Sequence, residues 1–275
     1  MTALDQHVWE HPETAERYEA FYERHSRYRI ANERLIANAR ITAGMSILDL
    51  GAGTGRTAEA ALPFLGVDGR VLCVEPAERM RRAAESRLCD PRVGWASGLP
   101  RTPHAFARIL CGAAIWQICP LPEVLPVLHR LLEPNGALCF TMPAMYLQEA
   151  DVPGEGKDPW LCGLPALLAN GRKPGRSEDE PAQWLYTQHE LERELRAAGF
   201  RPESYRFEVK MTQQAYADWF RIPAVSARLM QGADLKDWDR KVDEALGMSD
   251  TTSWKWERWY GCNAWRTETE SDLNA

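Results

Sequence analysis

The spacing of apolar residues changes period several times along the chain. From Glu13 to Ala39, Tyr18, Phe21, Tyr22 and His25 recur three and four residues apart, the period of one helix face. Gly44 closes that segment. MSILDL (45–50) is then a short apolar run that reads as a buried strand, although it contains an acid, Asp49. RTAEAAL opens a short helix expected to stop before Pro63. RVLCVEP (70–76) is a second strand ending in Glu75. AERMRRAAESRL follows as a helix, with Ala77, Met80, Ala84 and Leu88 on its apolar face. RVGWASG and FARILCG are a third and a fourth strand. LPEVLPVLHRLL is a helix using Val124, Leu128 and Leu131, EPNG is a turn, and ALCFTM is a fifth strand.

Strands alternating with helices at this spacing form a parallel sheet with helices on both faces. Right-handed crossovers leave little choice of topology. Ligands bind such sheets at the carboxyl ends of the strands, where GAGTG (51–55) and Glu75 both fall. The alternation stops after Met142. A stretch rich in Gly, Pro and charge reads as a long insertion. TQHELERELRAAGF restores a helix, with Thr187 and Glu190 spaced as a capping box. SYRFEVKM is a sixth strand, 212–256 is helical cap material, and RWYGCNAWR is the closing strand. The expected organisation is an N-terminal helical lid (1–44), a core (45–142), an insertion (143–185), a core helix and strand (186–211), a helical cap (212–256), and a closing strand with tail (257–275).

Composition narrows the classes of partner. The 275 residues are 45% hydrophobic, enough for a full core, and carry a net charge of −6. An acidic chain is a poor match to a nucleic-acid backbone. No apolar run is long enough to span a bilayer, and the first residues do not read as a signal peptide. The seven cysteines form no C-x-x-C or Cys/His cluster, which predicts reduced thiols, a cytoplasmic protein and no metal site.

The glycines Gly51, Gly53 and Gly55 let backbone approach a ligand closely. A dinucleotide site has the spacing G-x-G-x-x-G. Here Arg56 stands where that third glycine would be. Asp49 would repel a pyrophosphate and suit an ammonium group. Glu75 can accept from both hydroxyls of a ribose. The ligand these residues describe is a nucleoside with a cationic tail.

ILDLGAGTGRT, VLCVEP, FARILCGAAIW and LLEPNGALCFTMP, in that order and spacing, resemble the successive motifs of class I S-adenosylmethionine-dependent methyltransferases. The resemblance spans about 18–142 and resumes at YTQHELERELRAAGF. It implies a Rossmann-like α/β fold: a seven-stranded, mostly parallel sheet with helices on both faces and helical cap insertions. It also implies S-adenosyl-L-methionine as cofactor. Gly51, Ala52 and Gly53 would lie under its methionine and ribose portion, and Asp49 would face its ammonium through water. Glu75 would hold the ribose hydroxyls, Pro76 would flank the adenine, and the backbone around Cys111 would accept from the ammonium. Tyr18 and Tyr22 match a tyrosine-bearing helix that touches the cofactor's carboxylate in relatives. One departure is visible. Many relatives have Gly-Asp after the third strand, and that Asp takes the adenine amino group. This chain has GWASGLP there, which leaves Ser97 or a backbone carbonyl for the task.

Methyl transfer from a sulfonium needs orientation and a dry site more than acid–base chemistry. CGAAIWQI lacks the Asn/Asp-Pro-Pro-Tyr/Phe signature of enzymes that methylate amino groups of nucleic acids and glutamine. With the acidic charge, this points to a small-molecule acceptor, and to secondary-metabolite biosynthesis. Eleven tryptophans, among them Trp116, Trp160, Trp184, Trp219, Trp254, Trp256 and Trp259, suggest an aromatic or apolar acceptor, or a cation held on ring faces. His25, Tyr22 and His189 are the candidate catalytic residues. Two other uses of the fold stay open: cyclisation or other non-methyl chemistry, and a cofactor-binding subunit without catalysis.

Overall fold

The computed structural model of the chain describes residues 8–147, 168, 186–230, 234–252 and 254–268. Its centre is β1 (Ser46–Leu50), which pairs in parallel with β2 (Arg70–Val74) on one side and β4 (Phe106–Gly112) on the other. β3 (Val93–Ala96) extends the sheet beyond β2, and β5 (Leu132–Pro143) extends it beyond β4. β7 (Trp254–Arg266) inserts antiparallel between β5 and β6 (Phe200–Thr212). The seven-stranded order is β3-β2-β1-β4-β5-β7-β6. This is the Rossmann-like, mostly parallel sheet expected from the sequence.

Nine helices of eight residues or more complete the described chain: α1 (Thr14–Arg24), α2 (Arg27–Asn38), α3 (Arg56–Leu65), α4 (Glu78–Arg87), α5 (Leu121–Leu131), α6 (Gln188–Ala197), α7 (Gln213–Phe220), α8 (Pro223–Met230) and α9 (Leu235–Met248). Strand side chains alternate between faces, and the sheet buries both. Leu48, Ile109, Cys111, Leu138 and Phe140 face the leucines of α5 and α6. Ile47, Cys73, Leu110 and Cys139 face Leu35 and Ile36 of α2 and Ala58, Ala61 and Leu65 of α3. Burying each such side chain contributes about 1.5–3 kcal/mol. No helix among the described residues is long and apolar enough to cross a membrane.

Several elements differ from their sequence reading. The helix read from Glu13 to Ala39 is two helices, because His25 takes an extended backbone. That break carries the His25 ring to Asp218 of α7, with Nε2 and Oδ2 2.8 Å apart. α3 runs through Pro63 to Leu65 instead of stopping before it. A proline this near the C-terminus removes a single helical hydrogen bond, while Leu62 and Leu65 both gain burial. β7 begins at Trp254, so Trp254 and Trp256 lie on the closing strand rather than in the helical cap. Most of the insertion 143–185, with Trp160 and Trp184, lies outside the described residues.

A third cluster joins α1, α2, β7 and the helices α7 to α9. At its centre Arg27, 1% exposed, donates to both carboxylate oxygens of Glu257 at 2.8 and 2.7 Å. Its guanidinium lies 4.3 Å from the centre of the Trp219 ring. Trp259 donates to Glu257 at 2.8 Å, and Trp219 to the Tyr28 hydroxyl at 2.9 Å. Every charge in the cluster is paired, and the rings shield it from water. Glu257→Ala leaves the Arg27 cation buried without its anion. It should lower unfolding stability by about 3–5 kcal/mol, read as a shift in urea midpoint. Arg27→Met combined with Glu257→Leu should recover most of that loss.

Candidate active site at the carboxyl edge of the sheet

The glycine turn leaves the carboxyl end of β1. Gly51, Gly53 and Gly55 have φ of +69°, +54° and +81°, a left-handed backbone that side chains other than glycine's rarely accept. The amides of Gly51 and Ala52 donate to the carbonyl of Val74, which ties the turn to the end of β2. A Cβ at Gly51 would come within 2.9 Å of Ala114, and one at Gly55 within 2.8 Å of the Trp95 ring. At Gly53 the sole neighbour within 4 Å among the described residues would be the Met80 methyl, at 3.7 Å. The turn is therefore packed behind and open at Gly53.

Two carboxylates flank it. Glu75 follows β2 and is 7% exposed. One of its oxygens accepts from the Gly53 amide and the other from the Ala77 amide, each at 2.8 Å. Burial raises its pKa, and the two amides oppose that rise. Asp49, fully buried, accepts from the Ala58 amide of α3 at 3.1 Å through Oδ2. Its Oδ1 has no hydrogen-bond partner among the described residues. Burial pushes the Asp49 carboxyl up to about 7, opposed by the Ala58 amide and reinforced by Glu75.

The remaining cofactor candidates are spread unevenly. Pro76 is half-buried between Glu75 and Ala77. Cys111 is buried in β4, where desolvation holds its thiol protonated; two residues on, the Ala113 amide donates to Thr141. Tyr18 stacks on Tyr28 and packs against the cluster of Ala77 and Met80, which brings α1 to the loop after β2. Ser97 is exposed, one residue past β3.

The catalytic candidates do not converge. Tyr22 is buried beneath the Arg56 guanidinium, 4.5 Å from its ring centre, and shares a hydrogen bond with Asn32. Burial raises its phenol pKa, which makes it an O–H donor rather than a base near neutral pH. Asn32 also accepts from Thr57 beside Gly112, so this polar chain reaches the end of β4. His25 is engaged by Asp218, which also takes Arg24, Gln214 and Arg221. Its place is the junction of α1 and α7. His189 is exposed at the start of α6, whose capping box is built by its neighbours Thr187 and Glu190.

The described tryptophans do not share one cavity either. Trp219 and Trp259 pack around Arg27, Trp116 stacks on Tyr146 at 4.3 Å, and Trp254 and Trp256 are 46% and 53% exposed. A network the sequence did not reveal binds α1 to the turn. Arg56 pairs with Glu19 and Glu23 of α1 and with Glu59, and Arg87 pairs with Glu59 and donates to the Thr54 carbonyl. The one signal for it was an arginine at the position a dinucleotide site gives to glycine.

Comparison with known proteins agrees with this geometry. Residues 47–136 match the methyltransferase domain family. With the strand order above, that match decides the class. The core is a class I S-adenosylmethionine-dependent methyltransferase domain. A ubiquinone/menaquinone biosynthesis C-methyltransferase of Rubrivivax gelatinosus is 30% identical over 127 residues, 44% of this chain and 49% of that protein. A trans-aconitate 2-methyltransferase of an Azoarcus species is 29% identical over 156 residues, 55% and 58% of the two chains. The chain thus matches about half the length of these curated relatives. Among solved structures, the YcgJ protein of Bacillus subtilis superposes with a TM-score of 0.59 at 16% identity, over 88% of this chain and all of that one. The [4+2]-cyclase SpnF superposes at 0.54 and 16% identity, over 88% and 81%. Such likenesses show the fold alone.

S-adenosyl-L-methionine is the cofactor of this domain, and the residues present fit it. Asp49 Oδ1 is a buried acceptor lacking a donor among the described residues, Gly53 leaves open space, and Glu75 is held by amides with lone pairs to spare.

The raised Asp49 pKa has a sign that can be tested without cofactor. Between about pH 4 and 7 the folded protein holds this proton more tightly than the unfolded chain does. Its contribution to stability is therefore full below pH 4 and lost as pH rises through 7, with a slope of up to about 1.4 kcal/mol per pH unit. Asp49→Asn should be more stable than wild type at pH 8, and the gap should close toward pH 4. Urea midpoints across that range measure it.

Proposed function

We propose that the protein transfers a methyl group from S-adenosylmethionine to a small-molecule acceptor, in secondary-metabolite biosynthesis. The observation that carries this reading is the pairing of two buried carboxylates, Asp49 and Glu75, across a glycine turn open at Gly53. Glu75 would hold the ribose hydroxyls, pre-oriented by the amides of Gly53 and Ala77. Gly51, Ala52 and Gly53 would lie under the methionine and ribose, Pro76 beside the adenine, and Tyr18 over that end from α1. Asp49 would face the ammonium, an arrangement that favours its ionised form, while the carbonyls around Cys111 accept from the same group. Ser97, being exposed, would reach the adenine only at the outer rim of the site.

The bound cofactor would supply an electrophilic methyl group on a sulfonium. The chain's share is then to hold the acceptor in line and exclude water. Tyr22, with its proton retained and its ring fixed by Arg56, would orient an acceptor by donating a hydrogen bond. His25 and His189 lack the setting of a general base. One lies at the junction of α1 and α7 and the other is exposed at the start of α6, neither beside the glycine turn, so positioning carries the reaction. The relatives' names support small organic acceptors, and the net charge of −6 argues against nucleic acid. Cyclisation within the same fold differs in one observable: it yields no S-adenosylhomocysteine.

Two measurements test the reading. Glu75→Ala should weaken S-adenosylmethionine binding by about 1.5–3 kcal/mol, the scale of lost charge-assisted hydrogen bonds, roughly tenfold to a hundredfold in Kd. Calorimetric titration would show it, and an unchanged Kd removes Glu75 from the site. Incubation with an acceptor panel beginning with trans-aconitate and demethylmenaquinone should yield S-adenosylhomocysteine and a product heavier by one methyl group. In that assay His25→Ala and His189→Ala should each lower kcat by less than the roughly hundredfold typical of losing a general base.

A further inference from the structure

β6 and β7 run on past the rest of the sheet. β5 pairs with β7 from Ala137↔Trp265 to Pro143↔Trp259, whereas β6 pairs with β7 as far as Thr212↔Trp254. Residues 208–212 and 254–258 therefore form a two-stranded ribbon beyond β5. Because β7 is antiparallel to β5, this ribbon leaves the sheet at the carboxyl edge, the edge that carries the glycine turn.

Side chains alternate across a strand, so the ribbon has two unlike faces. On one, Val209, Met211 and Glu257 are buried, with Glu257 on Arg27. The other carries Trp254 and Trp256 beside their cross-strand partners Thr212 and Lys210, then Arg258 opposite Glu208. The two indoles meet edge to face at 5.6 Å, and the Lys210 ammonium lies 4.4 Å from the centre of the Trp254 ring. Apolar exposure is concentrated here. Among the described residues the large apolar side chains left exposed are Phe64, Val67, Met145, Met248, Trp254 and Trp256. Met145 lies in the short turn after β5, which packs against β7, and Met248 ends α9 shortly before the ribbon. Phe64 and Val67 lie at the opposite edge, ahead of β2.

Size and charge together indicate what this face meets. Two half-exposed indoles and two methionines offer on the order of 400 Å². That is half the roughly 800 Å² per partner of a stable protein interface, too little to hold a second copy. A lipid surface requires no matching shape. Indole rings favour its headgroup level, and lysine and arginine stems lie along apolar surface with the charge outward. The face has this composition. It sets Lys210 and Arg258 against one acid, Glu208, in a chain whose net charge is −6. Local positive charge complements anionic headgroups.

We propose that the outer face of the β6–β7 ribbon rests on an anionic lipid bilayer, with Trp254 and Trp256 at headgroup depth and Lys210 and Arg258 on the lipid phosphates. The contact is peripheral, and it turns the carboxyl edge of the sheet toward the membrane. It is independent of the cofactor reading above.

The test is sedimentation with vesicles of phosphatidylcholine containing a quarter phosphatidylglycerol. Wild type should sediment with them, and less so as salt is raised. Trp254→Ser combined with Trp256→Ser should weaken binding about tenfold or more, the scale of losing two half-buried indoles. Lys210→Glu should weaken it about fivefold or more on these vesicles and leave binding to pure phosphatidylcholine unchanged. Quenching of tryptophan fluorescence by brominated lipid should be strong in wild type and fall in the double variant. The double variant should bind S-adenosylmethionine as wild type does, which shows that its fold is intact. A wild type that stays in the supernatant, or a double variant that binds vesicles as tightly as wild type, overturns the proposal. So does a dimer that forms without vesicle binding and is abolished in the double variant, since it gives this face to a second copy. Failure of wild type to bind S-adenosylmethionine strikes the cofactor reading and leaves the vesicle result standing.

Discussion

The site depends on a backbone turn held in left-handed conformation between two parallel strands. Gly51, Gly53 and Gly55 turn the chain from β1 into α3, and a side chain at Gly51 or Gly55 would collide with Ala114 or Trp95. The turn is anchored rather than merely permitted. The Val74 carbonyl takes two of its amides, and the Glu75 carboxylate takes a third. Because Glu75 is fixed by the turn it helps to fix, this acid and the open backbone are a single unit. Asp49 is positioned by the same geometry. Being on β1, it reaches forward to the Ala58 amide of α3, and this leaves its second oxygen buried without a donor among the described residues. The protein carries that cost in the ligand-free state. A cation bound nearby would relieve it.

The helices around this unit are held chiefly by charge. Arg56 and Arg87 gather Glu19, Glu23 and Glu59, and Arg17 reaches both oxygens of Asp239 at 2.7 and 2.8 Å, so α1 is clamped to the core on one side and to α9 on the other. Most of these pairs are partly exposed, and such pairs contribute little to stability individually. Their effect is orientation: they set the angle at which α1 lies over the turn. The buried Arg27–Glu257 pair is different in kind, since both charges are out of water and removing either one is costly.

The parts of this structure that repeat were readable, and the parts that do not were not. The periods of β1 to β5 and their helices located the sheet and the carboxyl edge, because apolar alternation directly reports which side faces a core. The break at His25 was hidden, since both halves of that stretch have helical spacing and the cause is a carboxylate 193 residues away. The Thr187–Glu190 cap was legible because its partners are three residues apart. Tryptophans misled in the opposite direction. Ring size suggested a ligand cavity, but Trp219 and Trp259 are committed to Arg27, an arginine in an apparently ordinary helix. The contacts that cannot be read are those whose two ends share no local pattern: Glu10 with the start of α4, Trp9 with Gln117, Asn32 with Thr57.

This division follows the two demands on the protein. The bare turn and the two acids beside it lie within one short span of adjacent strands, which leaves a compact trace in sequence. Presenting an acceptor requires only that a surface be brought to that point, and many arrangements of helices do so. The helical cluster outside the sheet is assembled from segments remote from each other: α1 and α2 before the sheet, and α7 to α9 between its last two strands. They meet through Tyr22, Asn32, Tyr28 and Trp219 rather than through any motif.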